Sequence, residues 1–116
     1  MKIVDFSPER AESIAQFGSI GASSVRVGDG QGEAHVYCVR FAPGGRIGEH
    51  PTGFGQLFLV IEGSGWISGQ DGVRVAIAAG CTAYFPRGEQ HAKGSDVGMI
   101  AIMVQVRELT PAATEA

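Results

Sequence analysis

The stretch Gly44-Gly45-Arg46-Ile47-Gly48-Glu49-His50-Pro51-Thr52-Gly53-Phe54-Gly55-Gln56-Leu57-Phe58-Leu59-Val60-Ile61-Glu62-Gly63 decides the fold. Its apolar run, Leu57 to Ile61, is far too short to span a bilayer and has the length of a buried strand. Successive side chains of a strand point to opposite faces. Gln56, Phe58 and Val60 therefore share one face, and Leu57, Leu59 and Ile61 share the other. A strand apolar on both faces must be covered on both. One face is expected to line an interior and the other to meet a second copy, which predicts a homodimer. By the same alternation His50 and Thr52 share a face.

Short strands continue on either side. Downstream, Gly63-Ser64-Gly65 is expected to turn the chain into 66–68, and Gly69 to Gly72 to turn it into 73–77. Strands follow at 82–85, 90–93 and 99–106, with Pro86-Arg87-Gly88 as a turn between the first two. Upstream, Val25 and Val27 alternate with polar residues, Gly28 to Gly32 reads as a turn, and 34–41 is β-branched and aromatic until Pro43-Gly44-Gly45 breaks it. Nine or ten short strands at close spacing predict an all-β sandwich, jelly roll or small barrel. Within 7–17, Ser7 as N-cap and Pro8 at the first helical position predict a short helix with Ile14 and Phe17 on one face; an extended arm fits equally. The expected organisation is an N-terminal arm or short helix over 1–22, one β domain over 23–109 and a flexible tail over 110–116.

Composition narrows the function. Hydrophobic residues at 44% and charged residues at 18% fit a globular chain rather than a disordered one. The net charge is −3 and the basic residues are scattered, which argues against nucleic acid as a partner. The first residues lack a signal-peptide core and no run can cross a membrane, so a cytoplasmic protein without membrane partners is expected. Cys38 and Cys81 are too few for a disulfide scaffold and read as buried free thiols.

Two segments resemble the paired motifs of the cupin family. In the first, Gly44, His50 and Gly63 fall on register, Thr52 stands at the second histidine position and Gln56 at the glutamate position. In the second, Gly80, Pro86, Gly88 and His91 match, and Ser95 stands where asparagine is usual. The resemblance implies a jelly-roll β-barrel over 23–109. In metal-binding cupins these positions grip one divalent ion. The resemblance thus implies His50, Gln56 and His91 as ligands of iron, manganese, zinc or nickel, and Thr52, Phe58, Arg46 and Tyr84 as pocket residues.

Two functions stay open at this point, and with them whether the chain is an enzyme. One is a cupin that uses a mononuclear metal on a small organic molecule, as an oxygenase, lyase or isomerase. The other is a non-catalytic small-molecule-binding or accessory cupin whose metal site has decayed. A metal-free variant, with a histidine as general base as in cupin-like sugar epimerases, is a third option, and no catalytic residue is assigned. His35 would join the site if it points inward; Lys93 shares parity with His91, but a lysine at a strand end is usually solvated.

Overall fold

The structure is a computed structural model that describes residues 1–113. Ten strands are found among the described residues: β1 (Lys2–Asp5), β2 (Glu12–Ser13), β3 (Ser23–Ser24), β4 (Gly28–Phe41), β5 (Arg46–Pro51), β6 (Gly55–Ser68), β7 (Arg74–Ala78), β8 (Cys81–Phe85), β9 (Gln90–Gly94) and β10 (Met99–Pro111). Eight form one antiparallel sheet in two halves, and β2 and β3 form a separate small pair. The first half runs β1-β8-β6-β10-β4; in the second, β6 pairs with β7 and β9, and β9 with β5.

The all-β expectation holds, but the closed barrel does not. β6 is the strand common to both halves: Gln56 to Leu59 pair with β8, and Trp66 to Ser68 pair with β9. At the far sides, β4 pairs only with β10 and β5 only with β9, so no ladder joins β4 to β5 and the sheet stays open. Ala42 to Gly45 link these two strands through a tight turn, Gly45 N donating to Ala42 O. The turn lets the chain change halves without pairing them.

Two expected turns lie inside long strands instead. Gly28 to Gly32 begins β4, and Gly63 to Gly65 lies within β6. The glycines serve close backbone approach there. A Cβ on Gly30 would sit 2.8 Å from Val106 Cγ1, and one on Gly63 (φ 80°) would strike the carbonyl of Gly98. At Gly63, β6 leaves one half of the sheet for the other.

Of the two readings of the N-terminal segment, the short α-helix is not the one found. Ser7 makes no side-chain cap, and Pro8–Arg10 form a single 3-10 turn. Ala11 is already extended, and Phe17 has φ 62° and is exposed, so it shares no buried face with Ile14. Of the tail expected from 110 onward, Thr110 and Pro111 still pair within β10, and residues 114–116 lie outside the described residues.

The core lies between the halves. Phe41, Phe58, Val60, Ile67, Ile77, Ala83, Phe85, Met99 and Ala101 form one buried cluster. Phe58, Val60, Ala83 and Phe85 are the inward-facing members of their strands, as alternation demands. Among the described residues no helix is long and apolar enough to cross a membrane.

Candidate functional site

Strand register brings the motif residues together. β5 and β9 run antiparallel with His50 opposite His91, so the two imidazoles project to the same side. On the first half of the sheet, β4, β10, β6 and β8 set His35, Gln105, Gln56 and Phe85 in one row across the ladder. That row faces the interior. Lys93 stands two residues after His91 on β9 and is therefore on its face.

Lys93 organises this interior. It is 1% exposed, yet it ends in an amine that takes up a proton only near pH 7 and below. Its Nζ donates to Gln56 Oε1 and lies 3.5 Å from His91 Nδ1. The rings of Phe58 and Phe85 stand 4.7 and 4.9 Å from Nζ and offer their electron-rich faces to the charge. Burial drives the Lys93 amine down from 10.5 to about 7. His91, also buried, is pushed to about 3, first by burial, then by the charges of Lys93 and His50, and is neutral at physiological pH.

The hydrogen bonds fix the imidazole tautomers. His50 Nδ1 is 2.7 Å from the Gly48 carbonyl, which only accepts, so this nitrogen carries the proton. In a neutral His50, Nε2 is then bare and accepts from His91 Nε2, 3.1 Å away. His91 Nδ1 is left bare and faces the Lys93 ammonium. With His50 neutral the result is a directed chain: Lys93 to His91 to His50 to the Gly48 carbonyl.

That chain does not suit a metal ion. A metal-binding histidine presents a bare nitrogen to the ion and donates its other N–H to an acceptor behind it. His91 has the reverse arrangement: the group behind it is a cation, and its Nε2 holds the proton. Gln56 Oε1, the remaining candidate donor, is bonded to Lys93. Among the described residues no group of three or more His, Cys, Asp and Glu side chains could hold a metal ion. The metal-binding expectation is corrected accordingly: a lysine ammonium lies against two of the side chains expected to be ligands.

The other expected residues are dispersed. Thr52 Oγ1 donates to the Glu89 carbonyl at 2.7 Å, clamping the end of β5 to the start of β9. Phe58 is wholly buried beneath Lys93. Arg46 lines a groove with Trp66 and Arg74, away from the histidine pair. Tyr84 points opposite to Phe85, its hydroxyl donating to the Leu109 carbonyl at 3.4 Å. His35, at the end of the interior row, is exposed and bonded to Glu33 at 2.8 Å. Ser95, at the asparagine position, donates to Ser64 O and accepts from Gly98 N, so it holds a turn.

A cleft of about 530 Å³ opens at the mouth of this interior, lined by Glu33, His35, Tyr37, Thr52, Phe54, Arg87 and Gln105 among others. Gln105 is the ladder neighbour of Gln56, which ties the cleft to the buried network. Another cleft, about 580 Å³, lies against Arg40, Phe41, Glu62 and Met99 and contains none of the motif residues that meet in the interior.

The family model for the cupin domain matches residues 37–103. The chain belongs to the cupin family. Its fold is similar to that of a conserved protein of unknown function from Streptococcus pyogenes, with TM-score 0.61, 19% identity, 66% of this chain and 67% of that one. A cupin-like protein from Thermotoga maritima matches at TM-score 0.61 and 21% identity over 70% of this cupin and 65% of that chain, so this cupin spans about two thirds of its length. An uncharacterised conserved protein with a double-stranded β-helix domain from Klebsiella pneumoniae matches at TM-score 0.60 and 22% identity over 78% and 84%. At these identities the likeness concerns the fold alone. No curated protein matches this cupin.

Proposed function

We propose that this cupin is a non-catalytic binding protein for a small organic molecule, held at the mouth of the interior rather than on a metal ion. The observation that carries the reading is Lys93. Its ammonium engages Gln56 and faces His91, so the interior polar groups already satisfy one another. The cleft in front of them has the volume of a small-molecule site. It also keeps unspent donors. Arg87, Tyr37 and Gln105 make no side-chain hydrogen bond among the described residues.

The outer face of the first half supports a homodimer. Val36, Cys38, Ile102, Val104 and Leu59 come onto that face through direct register pairs. Val36 is 65% exposed and Cys38 is exposed, while Leu57, expected on this face, is buried within its own chain. β4 also offers a 14-residue free edge, which natural sheets cover. A second copy fits, because the same edge and apolar face repeat on it. Light scattering is expected to give twice the 12.1 kDa of one chain, with Cys38 slow to react with a thiol reagent; a 12.1 kDa particle with a fast-reacting Cys38 would remove the dimer.

The binding reading is tested with a fragment library against the full chain, followed by amide NMR shifts. Binders are expected to perturb residues 52–54, 87–88 and 105. A library with no binder, or with binders only at Arg40, Glu62 and Met99, would overturn the reading.

A further inference from the structure

We infer that the mouth cleft takes a flat aromatic carboxylate; this rests on the binding reading above and names its ligand class. Three observations converge on it. The rings of Phe54 and His35 lie nearly parallel, 21° apart, with centroids separated by 6.3 Å. A flat ring seated between two others needs about 7 Å between their planes, twice the ~3.5 Å contact distance of carbon atoms, so the two rings must part to admit one. Phe54 sits on the short 52–54 connection between β5 and β6, where such a shift disturbs no ladder.

Charge supplies the second observation. The chain is acidic overall, at −3. At Phe54, however, two guanidinium groups, of Arg87 and Arg107, stand 5.8 and 5.9 Å from the ring. The one carboxylate lining the cleft, Glu33, is committed to His35 at 2.8 Å and Arg107 at 3.3 Å. Arg87 has no carboxylate partner among the described residues, so the cleft is left net positive with one guanidinium free for an incoming anion. The third observation is the set of neutral donors: the Tyr37 hydroxyl and the Gln105 amide line the same cleft and hold no side-chain bond. An aromatic ring stacked on Phe54, with its carboxylate toward Arg87, uses all three.

The experiment is an amide NMR titration of the full chain with benzoate, benzamide and cyclohexanecarboxylate. Benzamide keeps the flat ring without the charge; cyclohexanecarboxylate keeps the charge without the flat ring. Benzoate is expected to bind about tenfold more tightly than either, perturbing Phe54, Arg87 and Gln105. Arg87→Gln, at an exposed position that leaves the fold intact, is expected to bring benzoate down to the affinity of benzamide. Phe54→Leu is expected to erase the preference for benzoate over cyclohexanecarboxylate. Equal binding of benzoate and benzamide, or unchanged benzoate affinity in Arg87→Gln, would overturn the assignment. If the fragment library finds neutral binders in the cleft while benzoate fails, the ligand class is wrong and the binding reading stands. If nothing binds the cleft, both fall.

Discussion

The interior and the mouth of this cupin are built on one row of residues, yet they treat polarity in opposite ways. In the interior, Gln56, His91 and Lys93 are buried and spend their hydrogen bonds on one another. At the mouth, His35, Tyr37 and Arg87 are exposed, and Arg87 and Tyr37 keep their donors free. Burial explains the difference. An unpaired polar group deep in a protein costs about 1–3 kcal/mol, so interior groups must be satisfied internally, whereas water covers that need at a surface. Groups satisfied internally hold structure; groups satisfied by water are free to exchange it for a ligand.

The largest expected effects probe the aromatic rings at the two places. Phe58→Ala opens a cavity beneath Lys93 and is expected to cost about 3–5 kcal/mol in chemical denaturation. Phe54→Ala, on a half-exposed loop, is expected to cost about 1 kcal/mol or less. Similar costs for the two would erase the contrast.

Next comes the pH dependence. Lys93 titrates near 7 in the fold and near 10.5 in the unfolded chain, so between those values the unfolded chain holds the extra proton. Stability therefore rises as pH goes from 7 toward 10.5, and this contribution is lost as pH falls through 7. His91 behaves likewise lower down, stability falling as pH drops from 6.5 toward 3. Lys93→Met removes the upper step and, by taking away one of the charges that depress His91, shortens the lower one. Relative to wild type, the variant is expected to gain roughly 2–4 kcal/mol between about pH 10 and pH 6, at about 1.4 kcal/mol for each pKa unit. A stability difference that ignores pH would contradict a buried, depressed Lys93.

A smaller change comes from Gln56→Glu, which sets a carboxylate against that ammonium. The opposite charge favours the protonated amine, so the lower end of the upper step is expected to move up by about 1–3 pH units and the step to shrink. A step that stays in place would mean that Gln56 and Lys93 do not meet. The smallest effect is expected for His50→Ala, about 1 kcal/mol by thermal melting, because His50 is exposed and water can replace it as the acceptor for His91 Nε2.

Much of the architecture was legible in the sequence because strand alternation and glycine punctuation are local signals. That Gln56, Phe58 and Val60 share one face follows from parity alone. Closure is a different matter, since whether β4 pairs with β5 depends on tertiary geometry that no spacing encodes. The glycine clusters at 28–32 and 63–65 misled for a related reason: the same residue serves a tight turn and a close strand crossing. At the site, motif spacing located His50, Gln56 and His91. The role of Lys93 was missed because lysine at a strand end is ordinarily solvated. Its parity with His91, beside a Gln56 that lacks the usual negative charge, was the available clue. Gln105 and Phe54 carried no motif at all; only the cross-strand row and the loop geometry bring them to the cleft.

The most direct test of the central claim, that the Lys93 ammonium stands in for a metal ion in this cupin, is the long-range ¹⁵N–¹H spectrum of the imidazole rings, recorded with and without equimolar zinc. The predicted result is His50 protonated at Nδ1 and His91 at Nε2, with both patterns unchanged by zinc. A His91 protonated at Nδ1, or a His91 Nε2 that loses its proton to zinc, would contradict it.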